Sequence, residues 1–95
     1  MRRAARVDEN HGDVVREFKR LGASVIDLSG VGEGCPDLCV GVAKQTALVE
    51  VKASAKAKFT EQQLDFMTYW NGRPVFRVNC VEDAQYVVHH LRGGK

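Results

Sequence analysis

The spacing of apolar positions changes several times along the chain, and each change marks an element. Between Asp8 and about Leu21, the side chains of His11, Val14, Val15, Phe18 and Leu21 fall on one side when successive residues turn by about 100°. Glu9, Asp13, Arg16, Glu17, Lys19 and Arg20 lie off that stripe or on its borders. This pattern predicts an amphipathic helix capped by Asp8 and stopped at Gly22, after a frayed segment over residues 1–7. Ala23 to Leu28 reads as a short strand interrupted by Asp27, and Ser29-Gly30-Val31-Gly32-Glu33-Gly34 as a flexible loop.

Two strands follow, one through Asp37-Leu38-Cys39-Val40-Gly41-Val42 and one through Ala47-Leu48-Val49-Glu50-Val51-Lys52, closed into a hairpin by the turn Ala43–Thr46. In the second strand, a period of two sends Leu48, Glu50 and Lys52 to one face and Val49 and Val51 to the other. Residues 53–58 lack an apolar stripe and read as a loop. Phe59-Thr60-x-x-Gln63-Leu64 is a helix start, with Thr60 as cap, Gln63 closing a capping box and Phe59 able to staple to Leu64. That helix runs to about Trp70, and Asn71-Gly72-Arg73-Pro74 ends it. Val75–Val78 supplies a last strand and residues 81–91 a closing helix with Ala84, Val87, Val88 and Leu91 inward, before Gly93-Gly94-Lys95 trails off. The order is helix, three strands, helix, strand, helix.

Ninety-five residues suffice for one domain with a modest core, so residues 1–95 form a single unit. Fourteen basic against twelve acidic residues give a formal charge of +2, too mild to assign a nucleic-acid partner. The distribution says more than the sum. Arg2, Arg3 and Arg6 crowd the start, and Lys52, Lys56 and Lys58 follow the acidic strand. These are either solvated segments or a basic rim. No apolar run approaches the roughly 20 residues that span a bilayer, and no signal-type apolar stretch follows the arginines, so a cytoplasmic location is expected. Three cysteines cannot all pair internally, and Cys35-x-x-x-Cys39 with a distant Cys80 lacks usual zinc spacing. They read as reduced and mostly buried; zinc on Cys35, Cys39 and a histidine stays open.

The hairpin would carry Asp37 toward Glu50 and Lys52. Two close carboxylates either share a proton or hold a hard cation through oxygen. The plainer reading has Asp37 capping a turn after Pro36 and Glu50 and Lys52 on the solvated edge of an amphipathic strand. The glycines of 29–34 do not make a dinucleotide loop, since Cys35 and Pro36 supply neither the third glycine nor a helix. They read as a mobile approach to Asp37 where a substrate backbone could come close, with Ser29 as a weak donor.

Pro36-Asp37 and Glu50-Val51-Lys52 resemble the signature of the PD-(D/E)XK nuclease superfamily. Gly34-x-Pro36-Asp37-Leu38, Val49-Glu50-Val51-Lys52 and Phe59-Thr60-x-x-Gln63 are similar, more narrowly, to the small stand-alone VRR-NUC nucleases of phage and bacterial type. The resemblance covers nearly the whole chain. It implies an α/β fold, a mixed sheet flanked by helices. It also implies metal-dependent hydrolysis of DNA with 5′-phosphate and 3′-hydroxyl ends, on branched DNA such as Holliday junctions, and a homodimer. Asp37, Glu50 and the Val51 carbonyl would hold Mg2+ or Mn2+, Lys52 would orient water, and Gln63 would bond near the site or serve only its capping box. The first-helix position of related nucleases falls on His11, as a metal-water or phosphate contact or as a structural histidine; Glu9 points away. Ser29, Lys56 and Lys58 would touch nucleic acid. Phe66, Met67 and Trp70 are either core or a dimer interface. The rival reading is a non-catalytic nucleic-acid-binding module, and a third is a scaffold protein.

Overall fold

The computed structural model describes residues 10–94. Among them, three helices and a four-stranded mixed sheet form an α/β fold in the order α1 (His11–Arg20), β1 (Ser24–Asp27), β2 (Leu38–Val42), β3 (Gln45–Val51), α2 (Glu61–Tyr69), β4 (Phe76–Val78), α3 (Val81–Leu91). The strands sit in sequence order. β1, β2 and β3 form an antiparallel meander, and β4 returns parallel to β3 through the α2 crossover.

Register follows burial. Paired residues share a side of the sheet, so Asp27, Leu38, Val49 and Phe76 face one way, and Ile26, Cys39 and Leu48 the other. The first face carries Leu38, Val40, Val42, Ala47, Val49, Val51 and Val78, all buried against Val14 and Phe18 of α1 and Ala84, Val87, Val88 and Leu91 of α3. A one-residue slip would turn these aliphatic side chains outward, so the pattern pins the pairing. The second face is mostly open: Ile26 is 59% exposed, and Cys39 and Leu48 are half-buried. None of the residues of α2 is buried.

The expected elements are present with shifted ends. The expected helix cap Asp8, the frayed residues 1–7, Glu9 and Arg2, Arg3 and Arg6 lie outside the described residues. α1 begins at His11, and Asn10 at its cap position makes no side-chain capping bond. Its amide instead donates to the carbonyls of Lys52 (2.8 Å) and Asn79 (2.6 Å), tying the start of α1 to the ends of β3 and β4. The capping box at Thr60 and Gln63 is formed as expected. Phe59 lies under Lys52 and Arg77, and Leu64 is 50% exposed.

The β2–β3 turn is tighter than Ala43–Thr46. Val42 pairs with Gln45, leaving only Ala43 and Lys44 in the loop, at φ of 54° and 66°. Two left-handed residues in a two-residue hairpin make a type I′ turn, which favours Asn-Gly. Both native side chains therefore sit in a region that L-residues avoid. Replacing Ala43-Lys44 with Asn-Gly should raise the unfolding free energy by about 0.5–1 kcal/mol. Urea denaturation reads this, and an unchanged or lower midpoint would contradict it.

Candidate active site

One step beyond the Leu38–Val49 pair, the register sets Asp37 opposite Glu50, on the face away from α1 and α3. Asp37 is fixed from both sides of its strand end: its carbonyl accepts from Leu28 N–H at 2.7 Å, and its Oδ2 from Val51 N–H at 2.9 Å. Glu50 is only 5% exposed and Lys52 only 9%. The solvated-edge reading of these two residues is thereby overturned: Gln63 of α2 reaches both, and the Phe59 ring lies under Lys52. The Lys52 backbone N–H bonds Val78 O at 2.9 Å, continuing the β3–β4 pairing past Val51.

Gln63 joins the buried charges. Its Nε2 donates to Glu50 Oε2 at 2.8 Å, and its Oε1 accepts from Lys52 Nζ at 2.7 Å and from Thr60 N–H at 2.9 Å. Lys52 Nζ also stands 3.8 Å from Glu50 Oε2. One side chain thus closes the capping box and bridges the pair, so the structural and site roles considered for Gln63 coexist. A buried ion needs both a counter-charge and hydrogen bonds, and this arrangement supplies both. Burial, then the charges of Asp37 and Glu50, push the Cys35 thiol up, which puts a third side chain within their field.

No family model, curated protein or solved structure matches the chain. The resemblance to the VRR-NUC nucleases therefore rests on the quoted motifs alone.

Several expected site residues lie elsewhere. His11 is 7% exposed, and its Nε2 lies 3.3 Å from Asp27 Oδ2. Asp27 belongs to the helix-covered side, and its Oδ1 accepts from both the N–H (2.8 Å) and the hydroxyl (2.5 Å) of Ser29. His11 and Ser29 are thus gathered around Asp27 rather than around Glu50. The Ser29 hydroxyl holds the Asp27 carboxyl below the usual carboxylate range, against partial burial and with help from Ser29 N–H and His11. Lys56 and Lys58 are exposed on the 53–58 loop. Phe66 and Met67 are half-buried and Trp70 is 43% exposed, so the core reading of these three does not hold. The cysteines are free and half-buried, not mostly buried. Among the described residues no three His, Cys, Asp or Glu side chains come together as a metal-holding group.

Arg77 escaped sequence reasoning, as did the contact that Gly34 admits. Arg77, paired in register with Glu50, brings its Nη2 to the carbonyls of Ser54 (2.8 Å), Ala55 (3.1 Å) and Ala57 (2.6 Å). It stands 5.3 Å from the Phe59 ring centroid, the same distance as Lys52 Nζ. The loop bearing Lys56 and Lys58 is thereby fastened beside the site. A lone cation in the apolar run Val75–Val78 was the available signal. Gly34 has φ of 81°, and a Cβ there would fall 2.3 Å from Gln62 O. This glycine admits the chain's own α2, not only a substrate backbone.

Removing Gln63 takes away a cap and a partner of both buried ions. Gln63→Ala should cost about 1–3 kcal/mol in urea denaturation, and a neutral result would mean the bridge is immaterial. For Asp27 the lowered carboxyl stabilises the fold above its ordinary pKa of about 3.8, and this is lost as pH falls through the folded value. Asp27→Asn should flatten the acid limb of stability below about pH 4. Melting curves across pH 2–6 check this, and an unchanged limb would refute it.

Proposed function

We propose that the chain is a divalent-metal-dependent DNA endonuclease whose site is Asp37, Glu50 and Lys52. The observation that carries the reading is a carboxylate and an ammonium, Glu50 and Lys52, held nearly out of water beside a second carboxylate on adjacent strands. Stability alone gives little reason for such a set, because buried ions seldom repay their desolvation.

The donor chemistry fits a hard cation. Asp37 and Glu50, with the Val51 carbonyl, would hold Mg2+ or Mn2+ through oxygen, leaving other positions to water and phosphate. When bound, such an ion supplies Lewis acidity toward a phosphodiester and acidifies water. The protein's own residues do the rest. Lys52 sets a positive charge where negative charge grows on the phosphate and orients the attacking water. Gln63 keeps Lys52 and Glu50 in one geometry. Arg77 positions the loop whose Lys56 and Lys58 meet backbone phosphates, so binding weakens with salt. Branched substrates and a two-fold dimer are taken from the VRR-NUC resemblance.

Cleavage of four-way, flap and duplex DNA, with Mg2+, Mn2+ or EDTA, tests the proposal. Cutting should require the ion, and Glu50→Gln or Lys52→Ala should lower it by at least about 100-fold while the purified variants remain folded. Full activity in either variant rejects the assignment. Salt-sensitive binding without any metal-dependent cut identifies a non-catalytic DNA-binding module instead.

A further inference from the structure

The open sheet face carries a second feature beside the acidic pair. Where the C-terminal end of α2 turns toward β4, a cleft of about 280 Å³ is lined by Cys39, Thr46, Ala47, Leu48, Trp70 and Arg73. Its floor is the Cys39–Leu48 strand pair. Leu48 lies two residues before Glu50 on β3, on the same face, about 7 Å along the strand. Its wall is the Trp70 indole, stacked on Phe66 with centroids 5.3 Å apart and planes inclined by 17°. Gly72 leaves the indole its room: a Cβ there would fall 2.6 Å from Trp70 Nε1. Arg73 stands at the rim, exposed, donating to the neutral Gln45 Oε1 at 3.1 Å, and among the described residues no carboxylate forms an ion pair with it.

We propose that this cleft receives one unpaired nucleobase of the DNA whose neighbouring phosphate lies at Asp37 and Glu50, with Arg73 meeting the backbone charge. The proposal rests on the nuclease reading and adds what the site selects. The volume is below the roughly 300–1,000 Å³ of pockets for drug-sized ligands, and suits a single planar heterocycle. An apolar floor, an aromatic wall and a cation at the lip complement a base with its attached phosphate. Paired bases are already stacked within a duplex and cannot enter. Branch points and single-stranded ends present bases that can, so the cleft would favour DNA that is locally unpaired.

Trp70 is the chain's one tryptophan, so its fluorescence reports on the cleft alone. In EDTA, titration with a short oligothymidylate or a flap carrying an unpaired tail should quench the emission, whereas a blunt duplex of equal length should not. Trp70→Ala should weaken oligothymidylate binding by about tenfold, with Trp70→Phe retaining most of the affinity. Arg73→Gln, an exposed change, should lower the salt slope of binding by about one. Equal quenching by duplex, or binding in a gel shift with no quenching, overturns the proposal. A concentration-dependent blue shift without DNA also overturns it, making the cleft a contact between two copies. Because these readouts need no metal, quenching without later Mg2+-dependent cutting sinks only the nuclease reading. Cutting without quenching sinks only this one.

Discussion

A carboxylate and an ammonium cannot be taken out of water without something to replace it, and this requirement organises the second face of the sheet. Glu50 and Lys52 are buried on a face whose other residues are half-buried or exposed, and one side chain that bonds both belongs to α2. The helix contributes no buried residue of its own. Its polar ties are the Gln63 bridge and the capping box at Thr60, and Gly34 allows its close passage at Gln62.

The two sides of the sheet divide the work. One side is aliphatic and closed by α1 and α3, and it supplies the hydrophobic drive to fold. The other keeps a polar centre and an apolar cleft, both unneeded for the core. Among the described residues no helix is long and apolar enough to cross a membrane. Asn10 connects the two sides. Its amide holds the carbonyl of Lys52, whose side chain reaches the centre on the far side.

Periodicity made most of the fold legible. The 3.6-residue stripe of α1, the alternation in β3 and the capping box of α2 are local patterns, and each appears where the residues placed it. The placing of Asp37 opposite Glu50, and of Glu50 beside Lys52, was also readable, because one short hairpin and a period of two suffice for it. Contacts between distant segments were not. Asn10 reaching Lys52 and Asn79, Arg77 reaching the carbonyls of 54–57, and His11 turning to Asp27 depend on which elements become neighbours, and no local rule encodes that. The hairpin turn was placed correctly, but its two-residue length was not legible, because Ala43 and Lys44 adopt a conformation they disfavour and the usual Gly or Asn marker is absent.

The parallel return of β4 has a kinetic corollary. The β1–β3 meander can zip from adjacent segments, but β4 joins only after the 53–75 crossover has closed its loop, a slower and entropically dearer event. Lys52 obtains its side-chain partner, Gln63, from that crossover and its backbone partner, Val78, from β4 itself. Opening of α2 alone would therefore strip Glu50 and Lys52 of Gln63 while the aliphatic layer, to which no α2 residue belongs, stays in place.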